Sequence, residues 1–315
     1  MLIAFLLMGM NSVLAHATAP LTLNDWKHQM QNTETPGFGC FTATYPDNWW
    51  ARIACANDTL SFPMVGQNGP GYVSQLCSCQ YPIGSAMGQV TTESGFQSET
   101  DTTYGTNSFS IQLNSNTYPI TFQGTNTNGW TQFVLQNRWY GGITQLIIEW
   151  WLLGGYSSSN PCPQGWDPEY PNCALDSAQA SFPAQDPANL PSIQLSGSAS
   201  STQDKATYCL GSTCNSVTGG DTTFLSQGNN WKNTEWNVFG MANSSTANFN
   251  VGTSLTITVS IGLPDPEDIT CAQGDYTGES NNLNNASCNT PYAWEYQFTE
   301  NLITHCPPSC TLTTA

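Results

Sequence analysis

Gln132, Glu149 and Glu235 are the residues of this chain best suited by type and spacing to do chemistry. Gln132 lies in Trp130-Thr131-Gln132-Phe133-Val134-Leu135-Gln136, Glu149 in Ile148-Glu149-Trp150-Trp151, and Glu235 in Thr234-Glu235-Trp236-Asn237-Val238-Phe239. A carboxylate can act as general base on water below neutral pH, and a side-chain amide can donate a hydrogen bond to a tetrahedral oxyanion. That chemistry needs no cofactor. Histidine-dependent nucleophilic catalysis is poorly provided for, because the three histidines are His16, His28 and His305, close to the chain ends. No Gly-x-Ser-x-Gly, P-loop, dinucleotide fingerprint or His-Glu-x-x-His sequence occurs. Cys77-Ser78-Cys79 lacks a second cysteine or histidine cluster at zinc-like spacing, and Asp265, Glu267 and Asp268 read as a solvated acidic loop sooner than a calcium site. No metal is expected. Taken singly, a strand glutamate is usually part of a solvated face and a strand glutamine an exposed amide; only the joint arrangement points to catalysis.

The elements that must position these side chains are strands. Along the second segment Leu146, Ile148, Trp150 and Leu152 share one apolar face, and Gln145, Glu149 and Trp151 share the other. The mixed face suits a substrate groove walled by aromatics, with Trp130, Trp151, Trp236 and Gln145 as its contacts. Period-two alternation recurs at Phe109/Ile111/Leu113, at Leu255/Ile257/Val259/Ile261 and at Tyr292/Trp294/Tyr296/Phe298, as a sheet with one buried face requires. Only Leu23 to Met30 and Gly71 to Leu76 could form a helical turn or two. The expected fold is all-β: a two-sheet antiparallel β-sandwich or jelly roll with disulfide-stapled loops. The chain divides into a signal peptide over 1–17, a Cys/Pro/Trp-rich lead over 18–90, the sandwich over 91–262, and a Cys-containing tail over 263–315 that returns a strand to it.

Composition points to secretion. An apolar run over residues 2–10 precedes Ala15-His16-Ala17, a small-x-small cleavage pattern, and is too short to span a bilayer. Twelve cysteines fit an oxidising compartment, and the close pairs Cys40/Cys55, Cys162/Cys173, Cys209/Cys214, Cys271/Cys288 and Cys306/Cys310 suggest loop staples. Asn57, Asn243 and Asn285 begin glycosylation sequons. With 22 acids against 5 Lys and Arg, a formal charge of -17, nucleic acid and anionic membranes are disfavoured as partners. So few cations leave little to repel in acid, as a protein built for acidic surroundings would have it.

At the three residues named first the chain resembles the eqolisins, the glutamic peptidases, over roughly Trp130 to Thr258. That family carries a catalytic Gln on one strand, an aromatic-Glu-Trp motif on the next, and later an Ala/Thr-Glu-Trp segment with the catalytic Glu, followed by a Phe and a Thr-rich strand. Asn248-Phe249 and Ser254-Leu255-Thr256-Ile257 occupy those last places here. The resemblance implies an acid-acting endopeptidase with Gln132 as catalytic amide and oxyanion stabiliser, Glu235 as catalytic general base on water, Glu149 in support and a polypeptide substrate. The Cys-rich lead, the Cys162 to Cys214 insertions and the tail depart from the family pattern. Two other readings stay open. Jelly-roll xylanases carry a strand Glu resembling Glu149 in its setting, so Glu149 and Glu235 could be a retaining pair about 5 to 5.5 Å apart across a polysaccharide groove. Alternatively the sandwich binds carbohydrate or protein without catalysis.

Overall fold

The structure, a computed structural model, describes residues 40–45, 51–53, 75–154, 156, 161–220, 225, 227–263, 269–273, 277–292, 294–302 and 311–314. The expected signal peptide, the sequon at Asn57 and the acidic loop at 265–268 lie outside them. Fourteen strands are labelled here: β1 (Gln75–Ser78), β2 (Ser85–Ser94), β3 (Phe109–Ser115), β4 (Thr125–Arg138), β5 (Ile143–Leu153), β6 (Asn172–Asp176), β7 (Ile193–Ala199), β8 (Asp204–Leu210), β9 (Thr213–Gly219), β10 (Asn233–Phe239), β11 (Ser254–Gly262), β12 (Thr270–Gln273), β13 (Asn284–Tyr292) and β14 (Glu295–Asn301).

Two antiparallel sheets form the body. The first runs β6-β5-β4-β3-β10-β1-β12, extended by Asp167–Glu169 beside β6, with Ala180–Pro183 on β5 and Tyr118–Phe122 on β4. The second runs β9-β8-β7-β2-β11-β14-β13. Their apolar faces meet in one core, to which the alternating residues of β3, β5 and β11 contribute as their periodicity requires. The sheets approach closely where aromatic rings of the first lie on bare backbone of the second. A Cβ on Gly88 would stand 2.4 Å from Trp236, and one on Gly197 2.4 Å from Phe133. The all-β sandwich is what the alternation implied. Among the described residues the only α-helix is the single turn Gln227–Asn230.

Several boundaries move. β2 is a central strand of the second sheet, so the sandwich begins before residue 91, and β1, expected in part as a helical turn, belongs to the first sheet. The stretch from Tyr292 to Phe298 is two strands, β13 and β14, with exposed Trp294 between them. Cys162–Cys173 and Cys209–Cys214 pair locally as expected. Cys271 does not pair with Cys288: it faces Cys77 across the β1–β12 ladder and bonds to it, 194 residues away in sequence. Proximity in sequence missed this pair because strand neighbours come from the topology.

A small sheet, ordered Ser280–Asn281, Thr246–Phe249, Glu99–Asp101 and Gly105–Thr106, closes one flank. Asp101 pins it: Oδ1 accepts from the amides of Thr103 and Tyr104, and Oδ2 from the Met241 amide and the Ser245 hydroxyl. Glu99 on the same strand is fully buried, with no hydrogen-bond partner for either oxygen among the described residues. Burial and then the nearby Asp101 push its pKa up to about 9, and burial and then Asp186 push that of Glu93 up to about 7. An acid whose pKa is raised by folding stabilises the fold fully below its ordinary value of 4.5, and that contribution is lost as pH rises through the folded value. The melting temperature is therefore expected to fall as pH rises from about 4.5 to 9, and Glu99→Gln to flatten the alkaline end of that fall. Calorimetric scans across this range check both.

Candidate active site

β3, β4, β5 and β10 are adjacent in the first sheet, and their register brings distant residues into line. Asp176 pairs with Glu149, Glu149 with Gln132, Gln132 with Asn114, and Asn114 with Glu235. These five form one row across five strands, on the face turned away from the core. The register follows from which residues the core takes: Ile148 and Trp150, Phe133, Leu113 and Trp236 all point inward, so the residues between them must point outward.

The row is hydrogen-bonded from Gln132 to Glu235. Gln132 Nε2 donates to Asn114 Oδ1 at 3.1 Å and to Gln112 Oε1 at 3.1 Å. Asn114 Nδ2 donates to Glu235 Oε2 at 2.8 Å and to Gln112 Oε1 at 3.2 Å. Gln112 Nε2 donates to the Ser110 hydroxyl, which donates to Gly240 O. Gln132, Asn114, Gln112 and Glu235 are all buried, and low dielectric strengthens such a network when its members are paired. Glu149, at the other end, is only partly buried, and its neighbour Asp176 is exposed. Its carboxyl is held up at about 8, first by burial, then by Asp176 and Glu279, with the Trp151 indole N–H and the Arg138 guanidinium pulling it back.

Of the aromatics expected to wall a groove, Trp130 and Trp151 do share this face. They are cross-strand partners with ring centroids 6.2 Å apart, clustered with Leu76 and Leu153 beside the row. Trp236 does not. Its ring is fully buried against Gly88 in the sandwich core, and its Nε1 donates to Leu195 O, because the residue after an outward Glu235 must face inward. Gln145 shares the outer face but lies four residues along β5 from Glu149, about 13 Å away at a strand's rise, with its amide on Gln179. Among the described residues no group of three or more His, Cys, Asp or Glu could hold a metal ion, and no helix is long and apolar enough to cross a membrane.

No protein-family model matches the chain, and no curated protein does. Solved structures of glutamic peptidases do resemble it. A crystal structure of Scytalido-glutamic peptidase with a peptide-based transition-state analogue is 15% identical, at a TM-score of 0.34 over 74% of this chain and 98% of that one. SCP-B, a member of the eqolisin family in a complex with the tripeptide Ala-Ile-His, is 11% identical at 0.32, over the same shares. A second Scytalido-glutamic peptidase complex, with a transition-state analogue inhibitor, is 13% identical at 0.34. Likenesses this distant leave the function to be argued from the site itself.

Asn114 and Gln112 are the residues that sequence reasoning passed over. The alternation Ser110, Gln112, Asn114 against Ile111 and Leu113 reads as a wetted strand face, yet all three polar residues are buried. The signal available was their chemistry: a strand face of amides and a hydroxyl with no charge. Asn114→Ala removes the link between Gln132 and Glu235 and leaves buried polar groups unpaired. It is expected to cost about 1–3 kcal/mol in urea unfolding, against under about 0.5 kcal/mol for Gln145→Ala, whose amide bond is exposed.

Proposed function

We propose that this protein is a secreted, acid-acting endopeptidase in which Glu235 activates water and Gln132 stabilises the oxyanion. What carries this reading is the row itself: a carboxylate and a primary amide two strands apart on one sheet face, joined through Asn114. A scissile carbonyl lying above Asn114 would have Gln132 on one side and Glu235 on the other. Glu235 takes a proton from water as the oxygen adds to the carbonyl carbon, and Gln132 Nε2 turns from its present acceptors to the developing oxyanion. Because Glu235 is fully buried, the floor between these two residues has to open for substrate to enter. Trp130, Trp151 and Leu76 offer an apolar wall for a peptide side chain. The chemistry calls for no cofactor.

Work in acid agrees with the raised carboxyls and the scarcity of cations, and secretion with disulfides that need an oxidising compartment. A retaining glycosidase fits less well. Glu149 and Glu235 are three interstrand steps apart, roughly 14 Å between backbones, with two amide side chains between them, where retention needs carboxyls about 5 to 5.5 Å apart.

Incubation of the purified mature protein with a denatured protein from pH 2 to 9, beside a xylan control, tests the assignment. Cleavage of the polypeptide is expected. Glu235→Gln should lower the rate by on the order of 10² or more, and Gln132→Ala by on the order of 10²–10³. Full activity in Glu235→Gln, or release of sugar with no peptide cleavage, would overturn it.

A further inference from the structure

Two sequons fall within the described residues. Asn285 sits inside the β13–β14 ladder, paired with Glu300, whereas Asn243 is exposed at the tip of the turn that joins β10 to the strand Thr246–Phe249. Asn243 and Ser244 both take the left-handed conformation, at φ 56° and 58°, and the Ser245 amide closes the turn on Ala242 O at 3.2 Å, a hairpin geometry that asparagine tolerates. Ser245, the hydroxyl residue of the sequon, is buried and donates to Asp101 Oδ2 at 2.6 Å. Docking of this flank on Asp101 therefore holds Asn243 outward. Beside it lies an aromatic pair. Asn243 Nδ2 donates to the Tyr104 hydroxyl, and the Tyr104 ring is near-parallel to that of Tyr140, with 15° between planes and 6.3 Å between centroids. Tyr140 is 64% exposed in the turn between β4 and β5, next to exposed Trp139.

We infer that Asn243 carries an N-linked glycan whose first sugar lies on the Tyr104–Tyr140 pair. This rests on the secreted reading above, because only a chain that enters a secretory compartment meets the donor, a lipid-phosphate-linked oligosaccharide. In the transfer Asn243 Nδ2 gives up one proton and bonds to C1 of the first sugar, while the C1–O bond to the lipid phosphate breaks and the phosphate leaves with the electron pair. The second N–H survives. It can keep the hydrogen bond to the Tyr104 oxygen, so the sugar starts beside the phenol ring instead of out in solvent. A pyranose presents a face of C–H groups, which suits the negative face of an aromatic ring, and the two near-parallel tyrosines offer such faces side by side. Transfer precedes folding, since Ser245 of the acceptor triplet is buried on Asp101 once the flank has closed. Seated there, the glycan shades Tyr140 and Trp139, two large apolar side chains that the fold itself leaves exposed.

Secretion of the full chain from a eukaryotic host, behind that host's own signal peptide, brings it to the donor whatever its own N-terminal residues do. Enzymatic deglycosylation in heavy-oxygen water, followed by peptide mass spectrometry, is expected to find Asn243 converted to labelled aspartate in most molecules. Trimming instead with an endoglycosidase that leaves one N-acetylglucosamine per site should give a protein melting on the order of 1–3 °C above the same chain made in a bacterial periplasm that adds no sugar. Tyr140→Ala should shrink that difference by about half or more, and Tyr140→Phe should keep it. Tyr140 is exposed, so both variants are expected to fold. An unmodified Asn243 would overturn the site. A melting difference that is absent, or that Tyr140→Ala leaves undiminished, would overturn the seat on the tyrosines. Modification of Asn243 behind the host's signal peptide, with no export behind the chain's own N-terminal residues, would count against the secreted reading and support the acceptor site.

Discussion

Cross-strand register is the constraint on which the rest of the structure depends. Asn114, Gln132, Glu149 and Glu235 come from four strands spread over 122 residues, and they stand in line because each flanking residue is fixed in the core. A slip of one residue in β3 would drive Asn114 into the apolar interior and turn Leu113 outward. The hydrogen bonds of the row oppose the same slip from the other side, since amides shifted along the ladder would lose their partners in a buried setting. Apolar packing on one face and polar pairing on the other thus enforce a single alignment.

Electrostatics sets the conditions under which that alignment is comfortable. The raised carboxyls are dispersed, with Glu93 on β2, Glu99 in the flanking sheet and Glu149 in the row, and in each case burial comes first and a neighbouring acid second. Positive partners are too few in the sequence to neutralise them. Protons take that role, so an acidic medium supplies the counter-charge that the composition withholds.

How much of this was legible beforehand depends on the range of the interaction. The inward faces of β3, β5 and β11 follow from period two alone, as does the sandwich they build. The outward placing of Glu149 and Gln132 follows from the same rule. Trp236 shows where a motif misleads: adjacency to Glu235 suggested a shared groove, whereas adjacency along a strand means opposite faces. Asn114 and Gln112 were hidden because their importance comes from lying between β4 and β10, and strand order is not written in any local stretch of sequence. The Cys77–Cys271 bond was hidden for the same reason.

That bond makes the chain from Cys77 to Cys271 a closed covalent ring. The ring contains β2 to β11 and every residue of the row, for Asp176, Glu149, Gln132, Asn114 and Glu235 all fall within it. A single backbone cut in any surface loop between β1 and β12 therefore opens the ring without splitting the molecule, and the two new ends stay tethered through sulfur. Under attack by a protease the first nick is survivable by construction; loss of a piece requires a second.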